Sequence, residues 1–247
     1  MDFIGKAKQS IAKAVQIASE SSVFSSFPEC SLLSSVDRIS IKLKDPQLHG
    51  LMKNWGPEHT FKTIDFLIRN EATGKQTILE AELESGRGIT VRNAQGKQIM
   101  VVKLNENDPT ALGKLCHPSL ASLYKVIPSQ PTPLGVNYIV QHAQDRKPYM
   151  LVEKVPVSLH QVLKVAGILG TNTAYWIKNP ADGTVLGYVR AKLVMNSNTL
   201  VVKFMSNNRD PQVRTTILGV ALLLTISESY PQLRAMLQES MHKTDGI

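Results

Sequence analysis

Cysteine is scarce in this chain: Cys30 and Cys116 are the only two among 247 residues. They lie far apart, and neither has a second Cys or a His at zinc-ligand spacing. That excludes a disulfide framework and a zinc finger, while a single disulfide stays open. A reducing compartment is expected, cytoplasmic with the nucleus as the second choice. Long hydrophobic runs are missing too. No charge-free apolar stretch reaches 18 residues, so no membrane-spanning helix is expected. The first residues carry Asp2, Lys6, Lys8 and Lys13 without a continuous apolar core, which does not read as a secretory leader.

Catalytic signatures are also absent. There is no G-x-S-x-G, no H-E-x-x-H and no P-loop. The histidines (49, 59, 117, 142, 160 and 242) are dispersed along the chain. Glu80, Glu82 and Glu84 alternate, which places them on one face of a strand and reads as a solvated face. The expectation is a non-enzyme without cofactor or metal. Net charge is +8, from 28 Lys and Arg against 20 acids. This surplus favours anionic partners, a phospholipid surface or nucleic acid. The cations are scattered, with no block of the kind a nucleic-acid arm carries.

What the chain does have is a dense apolar segment near its end. A β-branched run, Leu200 to Phe204, leads into a polar turn at Ser206 to Pro211. From Val213 to Ile226 follows a helix pattern that is apolar on almost every side. Such a helix must be enclosed by protein or lipid. Its charge-free part, Thr215 to Ser227, spans roughly 20 Å, short of the ~30 Å hydrocarbon layer. Enclosure by protein is therefore expected. Val213, Ile217, Leu218, Val220, Leu222, Leu223, Leu224 and Ile226 together contribute on the order of 10–20 kcal/mol when buried, an upper estimate. That matches the ~5–15 kcal/mol net stability of a whole domain. The rest of the chain is rich in strand patterns, and a sheet closed around one helix satisfies both needs.

Three similar segments mark hairpins. Phe66 to Asn70 is followed by Gly74-Lys75, Ile89 to Asn93 by Gly96-Lys97, and Tyr175 to Asn179 by Gly183-Thr184. In each, an apolar strand ends in a basic residue and Asn, and Gly comes three or four residues later, supplying the left-handed backbone of a tight turn. A fourth hairpin is expected from Tyr138 to Val155, turning near Gln144 to Arg146. Short helices or loops fit Asp108 to Leu123 and Ser158 to Ala166. The basic residue of the repeat has two readings: a row at one rim meeting phosphates, or solvated strand ends that discourage edge pairing. At the start, Phe3, Ile4, Ala7, Ile11, Ala14, Val15 and Ala18 share one helical face flanked by Lys6, Lys8 and Lys13. This helix is read either as a membrane-surface anchor or as a helix docked on the domain or a partner.

The hairpin Ala181 to Val189, the strand Leu200 to Phe204 and the Asp210-to-Leu223 turn and helix resemble the tubby C-terminal-like superfamily, which includes the tubby proteins and the phospholipid scramblases. The likeness is closest from Tyr175 to Ile226. It implies a twelve-stranded barrel around a central hydrophobic helix. Scramblases carry an acidic calcium-binding stretch where this chain has Asn196-Ser197-Asn198 and onward to Asn207. Amides in place of carboxylates weaken calcium binding.

The expectation is a mainly β (α+β) protein: a closed antiparallel β-barrel of about twelve strands around a central hydrophobic C-terminal helix. Residues 1–20 are an amphipathic helix, 21–36 a linker, 37–228 the barrel with its central helix at 212–227, and 229–247 a C-terminal helix and tail. The expected function is binding of anionic phospholipid, phosphoinositide in particular, at a membrane surface. Head-group candidates are Arg69, Lys75, Arg92, Lys97 and Lys178. Scrambling with weakened calcium dependence, and a nucleic-acid or protein interaction module, are the alternatives.

Overall fold

The computed structural model describes residues 24–28, 30–52, 54–56, 59–74, 76–85, 87–104, 111–156, 173–191, 199–230 and 232–237. The expected amphipathic helix at 1–20, the segment Ser158 to Ala166, Lys75 and the Asn196–Asn198 stretch lie outside the described residues.

The architecture begins in its turns. In all three repeats the Asn side chain closes the turn. Asn70 Oδ1 accepts from the N–H of Ala72, Asn93 Oδ1 from those of Gln95 and Lys97, and Asn179 Oδ1 from that of Ala181, each at 2.9–3.0 Å. Gly74, Gly96 and Gly183 then take φ of +61°, +77° and +71°. The strand register shifts by one residue at the same place each time: Ile68/Arg69, Val91/Arg92 and Ile177/Lys178. Such a bulge increases local twist and helps a sheet curl.

Twelve strands result: β1 (Arg38–Leu43), β2 (Thr63–Asn70), β3 (Gln76–Glu84), β4 (Gly88–Asn93), β5 (Gln98–Lys103), β6 (Gly113–Cys116), β7 (Ser122–Thr132), β8 (Gly135–His142), β9 (Pro148–Pro156), β10 (Thr173–Lys178), β11 (Val185–Ala191) and β12 (Leu200–Phe204). Each pairs antiparallel with its sequence neighbours, and β12 pairs with β1, so the sheet closes into a barrel. Even-numbered strands therefore all end at one rim, here the upper, and odd-numbered strands at the lower. Alternation sends Ile39, Ile41, Phe66, Ile68, Leu79, Leu83, Val91, Val140, Met150 and Val202 inward, each at most 1% exposed.

Helices accompany the wall among the described residues. A short α1 (Gln47–Met52) lies in the β1–β2 connection, and α2 (Pro211–Leu224) fills the barrel. Asp210 caps α2 by accepting the Gln212 N–H at 2.8 Å, with Pro211 in the first turn. From Ile217 to Ile226 every large apolar side chain is at most 1% exposed, and Val213 packs partly buried at the entrance. The helix touches opposite sides of the wall. A Cβ on Gly187 of β11 would stand 3.4 Å from Ile217 Cδ1, and one on Gly113 of β6 only 2.7 Å from Leu223 Cδ2. Four strands separate β11 from β6 one way round and six the other. The threonines of α2 are buried without cost in unpaired hydroxyls. Thr215, Thr216 and Thr225 donate to the carbonyls four residues back at 2.7–2.9 Å. Beyond Leu224 the helix widens into a π turn, Thr225–Ser229, so the helical path outlasts the expected 212–227. Residues 232–237 form a further helical turn with Leu233, Met236 and Leu237 buried against the core.

Two expectations need correction. Residues 24–28 and 30–36 do not behave as a linker. Phe27, Cys30, Leu33 and Val36 are buried at the upper rim, and Gln212 holds Phe27 through both backbone groups, at 2.8 and 2.9 Å. Serines between those four residues disguise an apolar face that closes the barrel mouth. Within Asp108 to Leu123, the described part contains strand β6 and the start of β7 besides the expected loop, which is the turn at 117–121. β6 has four residues, too few to show alternation.

Candidate functional site

Inward-facing positions are spent on the core, so recognition falls to the outer wall. Charge is distributed unevenly there. On β3 and β4, Arg92 Nη1 donates to Glu82 Oε2. On β9 and β10, Lys178 Nζ lies 2.6 Å from Glu153 Oε2 and over the Trp176 ring. On each of these arcs a cation is thereby held by an acid of the neighbouring strand. Two basic arcs lie between them. One runs across β11, β12, β1 and β2 and carries Arg190, Lys203, Arg38, Lys42 and Arg69. Lys203 sits directly opposite Arg38, and Ser40 opposite Arg69. The Nε atoms of Arg69 and Arg190 are buried without a hydrogen-bond partner.

The second basic arc is the more regular. Lys103 of β5 is directly opposite Lys114 of β6, and Lys114 is directly opposite Lys125 of β7. The next residue in the row is Gln141 of β8. Three like charges on adjacent strands, about 4.8 Å apart per strand, make a row roughly 10 Å long. Like charges placed directly opposite cost stability, about 0.2–1 kcal/mol per pair. Among the described residues no carboxylate lies within salt-bridge distance of any of the three. Their field reaches the neighbouring thiol. Burial pushes Cys116 up from its ordinary pKa, and Lys103 and Lys114 pull it the other way. An ammonium row with half-buried stems can bind phosphate oxygens without reorganising its backbone.

Of the five expected head-group residues, the four that are described (Arg69, Arg92, Lys97 and Lys178) share the upper rim in topology but are not brought together. Arg69 belongs to the first basic arc, Arg92 and Lys178 are each held by a glutamate, and Lys97 sits exposed at the β4–β5 turn. β4 and β10 lie on opposite sides of the barrel. The lysine row was missed by sequence reasoning, because its members are 11 residues apart on separate strands and only the pairing register aligns them.

At the lower rim a polar cluster seals the exit of α2. Tyr175 donates its hydroxyl to Glu228 Oε1 at 2.7 Å, and Lys154 Nζ lies 3.5 Å from Glu228 Oε2. Burial and the adjacent carboxylate push the Tyr175 phenol far up, so it stays a donor. A cavity of 230 Å³ near the upper rim is lined in part by Phe24, Ser122, His142 and Asp145. Asp145 there pairs with Lys147 at 3.2 Å. Among the described residues no group of three or more His, Cys, Asp or Glu is placed to hold a metal ion, and both cysteines are free and buried. No described helix is long and apolar enough to cross a membrane.

No family model matches the chain, and no curated protein and no solved structure matches it either.

Proposed function

We propose that this chain is a non-enzymatic barrel of tubby-like type that binds anionic phospholipid head groups at a membrane surface. The observation that carries the reading is the row Lys103–Lys114–Lys125, three mutually repelling charges with no acid in the row. Such an arrangement costs folding energy and recovers it when a polyanion binds. The net charge of +8 supports the same direction of binding. The closed barrel with its enclosed C-terminal helix is the architecture that the resemblance to tubby-like proteins implies.

The test is co-sedimentation with phosphatidylcholine vesicles containing phosphatidylserine or a phosphoinositide, against phosphatidylcholine alone. Binding to the anionic vesicles only is expected. Each lysine near an anionic surface is worth about 1 kcal/mol, so the triple variant K103Q/K114Q/K125Q loses about a hundredfold in partitioning. Neutral vesicles binding as well as anionic ones, or a triple variant that binds like the wild type, contradicts the reading.

A further inference from the structure

The reading above concerns charge; the hairpin next to the lysine row adds an apolar element. We propose that the tip of the β7–β8 hairpin inserts into the interfacial layer of an anionic bilayer, with the wall that carries Lys103, Lys114 and Lys125 facing the phosphates. This inference rests on the lipid-binding reading and deepens it by naming the inserted segment and the orientation of the barrel.

The tip runs beyond the ladders that flank it. β6 pairs with β7 only as far as Val126, and β9 pairs with β8 only from Tyr138 onward. Past Tyr138, β9 parts from β8, and the Asn137 side chain takes the Lys154 N–H at 2.9 Å in place of a ladder bond. The hairpin beyond Val126 extends on the order of 15–20 Å. Leu134 and Val136 at its end are 41% and 38% exposed, two of the six large apolar side chains left open to solvent among the described residues.

Its edges are unsuited to another strand. Pro128, Pro131 and Pro133 supply no N–H donors, which argues against a partner that adds a β-strand. The same prolines restrict the tip before it binds, which lowers the ordering cost. The tip itself is braced by β9. A Cβ on Gly135 would stand 3.1 Å from Lys154 Cδ, and Lys154 is the residue paired with Glu228 at the end of the core helix. The tip is thus a fixed projection.

The order of residues along this wall fits a bilayer surface. Ile127, Ile139 and Leu151 form a half-buried apolar row across β7, β8 and β9. Lys125 follows two residues before Ile127, with Lys114 and Lys103 beside it. With this wall down, apolar side chains meet the interface while the ammonium groups meet phosphate. A second copy of the chain would bring an identical row of lysines to the same place, so charge complementarity selects the anionic lipid surface as the occupant.

The experiment uses the full chain with Leu134→Cys labelled by an environment-sensitive fluorophore. Cys30 and Cys116 are buried, so the label goes to position 134. A label at Leu120→Cys, on the β6–β7 turn at the opposite rim, serves as the reference. Vesicles of phosphatidylcholine with phosphatidylserine should shift the position-134 emission to the blue and expose it to quenching by brominated lipid, leaving position 120 unchanged. The unlabelled L134S/V136S variant should partition about tenfold more weakly onto those vesicles and bind soluble inositol hexakisphosphate as the wild type does. If the protein binds vesicles but position 134 does not respond, the insertion is overturned and the lipid-binding reading stands. If the wild type does not bind anionic vesicles, the reading itself fails. A blue-shifted label without vesicles overturns the insertion too. Dependence on protein concentration would then assign the tip to self-association, and independence to a segment of the same chain.

Discussion

Arg214→Met is expected to destabilise the barrel by about 2–6 kcal/mol, about 1–3 for each of two buried carbonyls left without a donor, read as a lower urea midpoint at unchanged slope. Arg214 is 1% exposed in the first turns of α2. Its guanidinium donates to the carbonyls of Leu33, Val36, Ser34 and Asn208 at 2.7–3.1 Å, and at 3.4 Å to that of Met205. It also lies over the Phe204 ring. One side chain thereby joins the core helix, the turn after β12 and the segment that closes the upper mouth. Burial lowers its pKa, and Asp37 at 4.0 Å opposes that shift. Asp37 is largely exposed, so the ion pair adds little. The loss on substitution comes from the buried carbonyls of Leu33 and Val36 left without donors. Arg214→Lys should fall between Met and wild type, because an ammonium lacks the planar fork that reaches carbonyls on two segments at once. A loss below 1 kcal/mol for Met would mean that the mouth segment does not depend on this clamp.

Gly113→Ala is expected to cost about 3 kcal/mol or more, against about 1 kcal/mol for Gly96→Ala. The substitution is the same, and the surroundings decide. At Gly96 a Cβ meets nothing within 4 Å, so only the cost of its left-handed φ of +77° remains. At Gly113 a Cβ would lie 2.2 Å from the Lys103 carbonyl oxygen and 2.7 Å from Leu223 Cδ2. Neither neighbour can yield, since one belongs to the paired β5 backbone and the other fills the core. Chemical denaturation of both variants checks the contrast. Equal losses would mean that neither the Lys103 carbonyl nor Leu223 stands against Gly113.

The features legible in the sequence were those with local causes. The core helix could be read because it is apolar on nearly all sides and too short for a bilayer. The three Asn-to-Gly hairpins could be read because the turn chemistry lies within a few residues. β6 could not, since four residues show no period, and the buried mouth segment hid Phe27, Cys30, Leu33 and Val36 among serines. The charged surface was least legible. Arg92 and Lys178 stand out in the repeat, yet their glutamate partners come from neighbouring strands. Lys103, Lys114 and Lys125 look unremarked in the chain and become a row only through two strand pairings. Register is a tertiary property set by turns and by the helix that the barrel encloses, and spacing along the chain does not report it.

The enclosed helix is the claim on which the barrel, its rims and the orientation of the lysine row all depend. Methyl-resolved nuclear Overhauser spectroscopy tests it most directly. The account predicts cross-peaks from the Ile217 δ1 methyl to Gly187 on β11 and from a Leu223 δ methyl to Gly113 on β6, contacts on two separated arcs of one wall. Cross-peaks to only one of these arcs, with rapid amide exchange along the opposite face of α2, would place the helix outside the barrel and contradict the account.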